Sequence, residues 1–357
     1  MPDSLVETPT FVCPAPVANR GRIVLGHGSG GRLSAELLRD VFLPLFSNPV
    51  LDRLDDQAIL AIGGARIAFT TDSFVVKPLF FPGGDIGSLA VHGTVNDLAM
   101  GGARPLFLSA GFILEEGLST DVLREIAASM ARAAAAAGVT IVTGDTKVVE
   151  KGKGDGLFIN TTGIGIVPDA VRLTASSARP GDRVILSGTI GDHGIAILAK
   201  REGLEFDSEI VSDSAALHEL VTVMLEAAQV TPSAIRCLRD PTRGGVSSSL
   251  NEIAGQSRVS IQIEESKIPV QDGVRGACEL LGLDPLYVAN EGKLLAIVSP
   301  EAADKVVEAM RRHPLGTMAA VIGTVGDQGA GVVTMRTVFG STRLVDLLAG
   351  DQLPRIC

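Results

Sequence analysis

AILAIGGARIAFTTDSFVV, residues 58–76, is two runs of β-branched, aromatic and aliphatic residues broken by Gly63-Gly64, a composition that suits strands. PLFLSAGFIL (105–114) and LFINTTGIGIV (157–167) have the same character. Helical stretches alternate with these runs. One covers Asp85 to Met100 and closes at Gly101-Gly102; another covers Ser119 to Ala137, with Ser119 or Thr120 as cap and Gly138 as stop. A second block repeats the alternation. It contains RVILSG after Pro180-Gly181, a helix over Ser214 to Ala228, a helix after Gly244-Gly245, and strands VSIQI and KLLAIV. A helix capped by Ser299 with Pro300 in its first position, then strands AAVIGTV and GVVTMRTV, complete it. The pattern predicts a two-domain α/β chain.

The expected divisions are a flexible Pro-rich arm over 1–22, an N-terminal domain over 23–168, a C-terminal domain over 169–339, and a tail over 340–357. Pro354 blocks helix near the last residue, so the tail is expected to be extended, mobile and able to reach a site elsewhere.

Composition narrows the function. Of 357 residues, 31 are Lys or Arg and 41 are Asp or Glu, a formal charge of -10, which argues against nucleic acid and anionic membranes as partners. Trp is absent and Tyr287 is the sole tyrosine, so base-stacking platforms are not expected. No window nears the roughly 18 unbroken apolar residues of a membrane helix, and Asp3, Glu7 and four prolines stand where a signal peptide needs an apolar run. A soluble, cytoplasmic protein is the expectation. Cys13, Cys237, Cys278 and Cys357 show no CxxC spacing, so neither a disulfide framework nor a structural zinc site is indicated. Cys357 stands apart as the last residue.

Several residues could carry chemistry. The glycine-rich stretch 26–32, GHGSGGR, runs into a helix over Leu33 to Val41; it is either a turn or a phosphate cradle. Acidic residues recur at element ends: Asp55 and Asp56, Asp72, Asp97 beside Asn96, Asp145, and Asp240 before a Pro-Thr-Arg-Gly-Gly turn. Each alone reads equally as a cap or turn residue; as a set they suit a hard divalent cation bridging to phosphates. Lys147, expected just past a strand end, could face a transferring phosphoryl group, and Glu291 lies beside a strand start. His27, His92, His193, His218 and His313 form no pair at metal-ligand spacing and take structural readings.

Together GHGSGGR, LDDQAIL, TTDSFVV, HGTVNDLAMGGARP, GDTKVV, RDPTRGGV, ANEGKL and the final PRIC resemble the HypE hydrogenase-maturation factors, which are carbamoyl dehydratases. These belong to the ATP-binding superfamily of aminoimidazole ribonucleotide synthetase and selenophosphate synthetase. The acidic and Gly-Gly motifs mark the superfamily; PRIC marks HypE. The resemblance covers about Ile23 to Cys357. It implies a PurM-like fold whose N-terminal domain forms a β-barrel across a homodimer and whose C-terminal domain is an open α/β sheet.

The resemblance also implies a reaction. Cys357 accepts a carbamoyl group from HypF, ATP activates the amide oxygen, and loss of phosphate leaves a thiocyanate whose cyanide passes to iron held by HypC and HypD. By motif, Asp56, Asp72, Asp97 and Asp240 would hold Mg²⁺. Gly28, Gly30, Gly31, Asp55, Asn96 and Asp145 would contact ATP. Lys147 would neutralise developing charge and Glu291 would take the nitrogen proton. Two other readings stay open on the residues alone: a synthetase acting on a free small molecule, which has no use for Cys357, and a non-catalytic thiol carrier, which would not turn over ATP.

Overall fold

The computed structural model describes residues 22–206, 209–228, 233–327, 329, 331–348 and 356–357; all of the expected 1–22 arm but Arg22, and Pro354, lie outside the described residues. The chain opens with a 3₁₀ turn, Leu25–Gly28, and a short irregular helix. That helix comprises α1 (Arg32–Leu37), a π-helical stretch (Leu38–Phe42) and α2 (Leu43–Phe46).

β1 (Ala58–Ile62), β2 (Ala65–Phe74), β3 (Phe80–Phe81), β4 (Gly84–Asp85), α3 (Ile86–Met100), β5 (Arg104–Glu115), α4 (Thr120–Ala136), β6 (Thr140–Val149) and β7 (Leu157–Ile166) follow. The main sheet runs β1-β2-β7-β5-β6; every pairing is antiparallel except β5 with β6. The Asp85 carboxylate accepts hydrogen bonds from Gly87 and Ser88 backbone N–H groups and so caps α3. Ser119 caps α4 in the same way through Asp121.

Alternation along β2 sends Ala68, Thr70 and Phe74 inward, while Phe69 stays exposed on the other face. The inward residues meet α3, which is buried along nearly all its length because the sheet and the second half of the chain enclose it. On the outer face Phe69, Phe107, Ile113, Ile164 and Ile166 remain exposed, an apolar patch unusual for an isolated soluble unit. Among the described residues of one chain this sheet is open and no barrel closes.

The second half contains β8 (Arg183–Leu186), α5 (Asp192–Glu202), α6 (His218–Ala228), β9 (Ile235–Arg239), α7 (Gly245–Ser257), β10 (Ser260–Glu264), α8 (Asp272–Leu281), β11 (Leu295–Val298), α9 (Pro300–Arg311), β12 (Ala320–Gly326), β13 (Val333–Arg336) and β14 (Thr342–Leu344). Their sheet runs β14-β13-β10-β12-β8-β11-β9, antiparallel apart from β10 with β13. β8 and β11 at its centre are buried on both faces.

Three sequence expectations change. The helix expected from Ser214 begins at His218, because Ser212 to Ala215 spend their polar groups on tertiary hydrogen bonds. The stretch expected as tail from 340 contains β14, which pairs with β13, and Val345 is fully buried. Ile356 and Cys357 are also buried, in the cluster that includes Phe74, Phe81 and Ile197.

Candidate active site

The site forms where α3, the end of β2, the turn after β9 and the loop before β11 converge. Asp72 is the partner of buried Thr161 in the β2–β7 register, so it points to the α3 side of the sheet. Asp97 sits on α3, with its Oδ2 2.7 Å from the Thr70 hydroxyl. Burial first, then the charges of Asp240, Asp72 and Asp56, hold the Asp97 carboxyl well above the ordinary carboxylate range. Burial pushes Asp240 up to about 8, with Asp56 and Asp72 adding to it. Four aspartates from distant parts of the sequence therefore feel one another.

They are not yet a finished metal site, since among the described residues no three acidic, His or Cys side chains are gathered as for a bound ion. Asp56 is paired with Arg239, whose guanidinium also bonds the Leu54 carbonyl. The donor set nevertheless fits Mg²⁺: buried carboxylates that repel one another are relieved by a divalent cation.

Glu291 is placed by a dense framework. Asn290 accepts a hydrogen bond from Gly191 N–H (2.8 Å) and donates to the carbonyls of Pro241 (2.9 Å) and Val288 (3.1 Å). Glu291 N–H donates to the Asp213 carboxylate at 3.0 Å, and Lys293 pairs with the same carboxylate at 3.1 Å. A Cβ on Gly292 would collide with the Asp213 carbonyl, so only glycine permits this approach. Asn96 secures the other side: it accepts from Leu217 N–H and donates to the carbonyls of Ala215 and Glu291. Its amide is thus engaged with the protein backbone on both its donor and acceptor sides.

The Glu291 side chain is 2% exposed, and its Oε1 has no hydrogen-bond partner among the described residues. Burial first, then Asp72, Asp240 and Asp213, raise its pKa well above the glutamate range. Cys357 lies within the same field. Burial pushes its thiol up, Arg243 opposes this, and Glu291 and Asp72 reinforce it. Val75 N–H donates to the main-chain carboxylate oxygen of Cys357 at 3.1 Å.

The glycine loop packs against the turn after Asp240. Arg243 donates to the Gly28 carbonyl at 2.9 Å, and Gly30, with φ +73, leaves no room for a Cβ beside the Arg243 carbonyl. Gly31 lies equally close to Leu348. A cavity of about 640 Å³ adjoins the loop, lined by Gly30, Gly31, Asp55, Gln57 and Arg239 among others. The Asp55 carboxylate accepts from the Thr174 hydroxyl and Ala175 N–H, both at 3.1 Å, and pairs with Arg53. Its contacts tie the strand entry to the second half of the chain.

Lys147 and Asp145 lie elsewhere. β6 continues through both, so Lys147 is inside a strand and not beyond its end. In register they face Ile113 and Gly111 of β5, which puts them on the outer face of the sheet. They are exposed and paired with each other at 2.7 Å. Within one chain, then, neither joins Glu291. Arg243, Asp213 and Arg239 were not singled out from sequence. Arg243 is the cation whose pKa Cys357, Asp72, Glu291 and Asp97 all raise; its place in the PTRGG turn after Asp240 was the available signal.

Comparison with known proteins identifies both halves of the chain. Residues 54–167 fit the AIR synthase related protein N-terminal domain, and residues 179–336 fit the C-terminal domain of the same family. The chain is 59% identical over 338 residues to carbamoyl dehydratase HypE of Cupriavidus necator, covering 94% of this chain and 95% of that protein. The chain belongs to the HypE family. Carbamoyl dehydratase HypE of Escherichia coli is 47% identical over 340 residues, covering 94% of this chain and 99% of that one. A crystal structure of HypE in complex with ATP superposes with TM-score 0.78 at 51% identity, covering 94% of this chain and all of that one. HypE in a HypE–HypF complex gives 0.83 at 50% identity, over 87% and 99% of the two chains.

Proposed function

We propose that this chain is a carbamoyl dehydratase that converts a carbamoyl group carried on Cys357 into a cyano group at the expense of ATP, supplying cyanide for hydrogenase iron. The observation that carries the proposal is the burial of Cys357 beside Glu291, whose Oε1 lacks a partner, within a cluster of carboxylates suited to a nucleotide-bound cation.

The chemistry balances without a further reactant. The thiocarboxamide oxygen attacks the γ-phosphorus of ATP and ADP leaves. Removal of the nitrogen protons then expels phosphate, which retains the former amide oxygen, and leaves S–C≡N. Phosphorylation is needed because an amide oxygen is a poor leaving group, and the protein's task is positioning and charge neutralisation. Glu291, with a pKa raised by burial and an acceptor atom without a partner among the described residues, is a stronger base than an exposed glutamate and is the group placed to take the nitrogen proton. Asp56, Asp72, Asp97 and Asp240 would hold Mg²⁺, which would neutralise phosphate charge when bound. Gly28, Gly30, Gly31 and the adjoining cavity would receive the nucleotide.

Lys147 and Asp145 would take part only if a second copy covered the outer sheet face, and the exposed Phe69, Phe107, Ile113, Ile164 and Ile166 are the apolar surface such a homodimer would bury. In this reading HypF is the carbamoyl donor, which the similarity to HypE in a HypE–HypF complex supports, and HypC and HypD as acceptors and a cytoplasmic setting are further parts of the proposal. The test is intact-mass analysis of the chain after incubation with HypF, carbamoyl phosphate and MgATP. A carbamoyl gain on the peptide containing Cys357, then loss of one water with stoichiometric ADP, supports the reading. Transfer without ADP formation would establish the carrier reading instead.

A further inference from the structure

One fully buried titratable side chain has no part in this mechanism. His193 lies in the first turn of α5, with Nε2 2.6 Å from the Ile356 carbonyl and Nδ1 2.8 Å from Ser212 Oγ. A carbonyl can only accept, so Nε2 carries the proton and donates. Nδ1 is then a bare acceptor and the Ser212 hydroxyl donates to it. The Ser212 oxygen in turn accepts Ser214 N–H at 3.1 Å. Phe81 stands edge-on to the imidazole at 5.6 Å and keeps water from that side. Burial also lowers the His193 pKa, consistent with the neutral tautomer that this network requires.

We infer that His193, oriented by Ser212, is the positioning residue that latches Ile356–Cys357 into the cleft and sets the Cys357 side chain beside Glu291. Two contacts to the main chain hold adjacent residues from different elements: His193 donates to the Ile356 carbonyl and Val75 N–H to the main-chain carboxylate oxygen of Cys357. Together they fix the backbone, and the Cys357 side chain is left to hydrogen-bond with Glu291. The Ile356 side chain is buried in the same cluster as Phe81 and Ile197, which adds an apolar anchor. The latch and the base share a support. Ser212 orients His193, and the next residue, Asp213, accepts the Glu291 N–H, so one stretch of chain registers the two halves of the reacting pair. The consequence for turnover rests on the proposed dehydratase reading; docking of the segment does not.

The test compares full-length wild type with His193→Gln, His193→Leu and Ser212→Ala. Gln can present an amide N–H at about the reach of Nε2, whereas Leu fills space without a donor. The docking readout is the iodoacetamide alkylation rate of Cys357, followed by peptide mass, with Cys237 and Cys278 in the same digest reporting any global opening. Losing a buried hydrogen bond and stranding its acceptor should speed Cys357 alkylation roughly tenfold or more in His193→Leu. Ser212→Ala should show a smaller increase, and His193→Gln should return most of the protection. Single-turnover dehydration should slow by a similar factor while MgATP affinity stays unchanged. Wild-type protection of Cys357 in both His193→Leu and Ser212→Ala, or equal alkylation rates in the Gln and Leu variants, would overturn the latch. If His193→Leu exposes Cys237 and Cys278, it has opened the fold, and Ser212→Ala against wild type decides. A wild type that never takes up carbamoyl would refute the dehydratase reading while leaving the alkylation result to judge the latch.

Discussion

Replacing Asp240 with asparagine should make the metal-free protein more stable and the nucleotide-bound protein worse. Asp240 is 8% exposed, and burial with the charges of Asp56 and Asp72 lifts its pKa from 3.8 to about 8. In the unfolded chain the same carboxyl ionises near its ordinary value. A group whose pKa is raised by folding gives its full stability below the unfolded value and loses it as pH climbs towards the folded one. The loss from Asp240 therefore accumulates between about pH 4 and pH 8. At pH 7 it is about 4 kcal/mol, taking about 1.4 kcal/mol for each pH unit above the unfolded pKa. Asparagine has nearly the same shape and no proton to hold, so it escapes this cost.

Thermal melts of wild type and Asp240→Asn in EDTA, from about pH 5 to pH 8.5, test the point. The variant should melt several degrees higher near pH 8, at a few degrees per kcal/mol or somewhat less for a chain of this size. The gap should shrink as the pH falls. Added MgATP should raise the wild-type melting temperature more at high pH than at low pH, since the cation replaces a proton that the cluster would otherwise hold; the variant should respond weakly. An Asp240→Asn protein no more stable than wild type at pH 8 in EDTA would refute the electrostatic reasoning. A full MgATP response in the variant would remove Asp240 from the ligand set.

Other outcomes follow from the same geometry. Glu291→Gln should slow water loss by about 10²- to 10⁴-fold while carbamoyl transfer onto Cys357 continues, seen as accumulation of the carbamoylated mass in single turnover. Cys357→Ala should abolish cyanide formation but keep MgATP binding, measured by calorimetry; residual product would rule out the thiol carrier. Ile164→Asp with Phe107→Asp should leave a folded chain whose sedimentation shifts from dimer to monomer, and an unchanged sedimentation coefficient would place the interface elsewhere.

The strands and the long helices were legible because their signals are local. Residues 58–76 carry β-rich side chains on both sides of a glycine turn, and Asp85 and Ser119 are caps whose partners lie within three residues. α5 and α8 were missed. Both carry internal glycine; α5 has little amphipathic periodicity, whereas α8 spaces Val274, Ala277 and Cys278 along one face, a signal the sequence did offer, and the two helices pack through Ile195 and those residues. Lys147 was misplaced because nothing in GDTKVV says where a strand stops; β6 continues because β5 supplies partners as far as Val149.

The site divides along the same line. Its candidate acids and glycines lie in compact motifs, so residue type and spacing were enough to nominate them. What aims those residues is spread across the chain: Asp213 reaches Glu291 across 78 positions, Asn96 reaches it across 195, and His193 reaches Ile356 across 163. Each donor or acceptor in these bonds is ordinary by sequence. Its role arises only when folding removes water and leaves a single partner within reach, because a buried polar group without one costs about 1–3 kcal/mol. His193 shows the effect most fully. A histidine beside glycine in GDHG has many structural readings, but once buried with a carbonyl at one nitrogen and a hydroxyl at the other it has one tautomer and one arrangement of donors. In the proposed latch the adjacent Cys357 is thereby held at a fixed place relative to Glu291, the kind of fixed geometry that a reacting group and its base require.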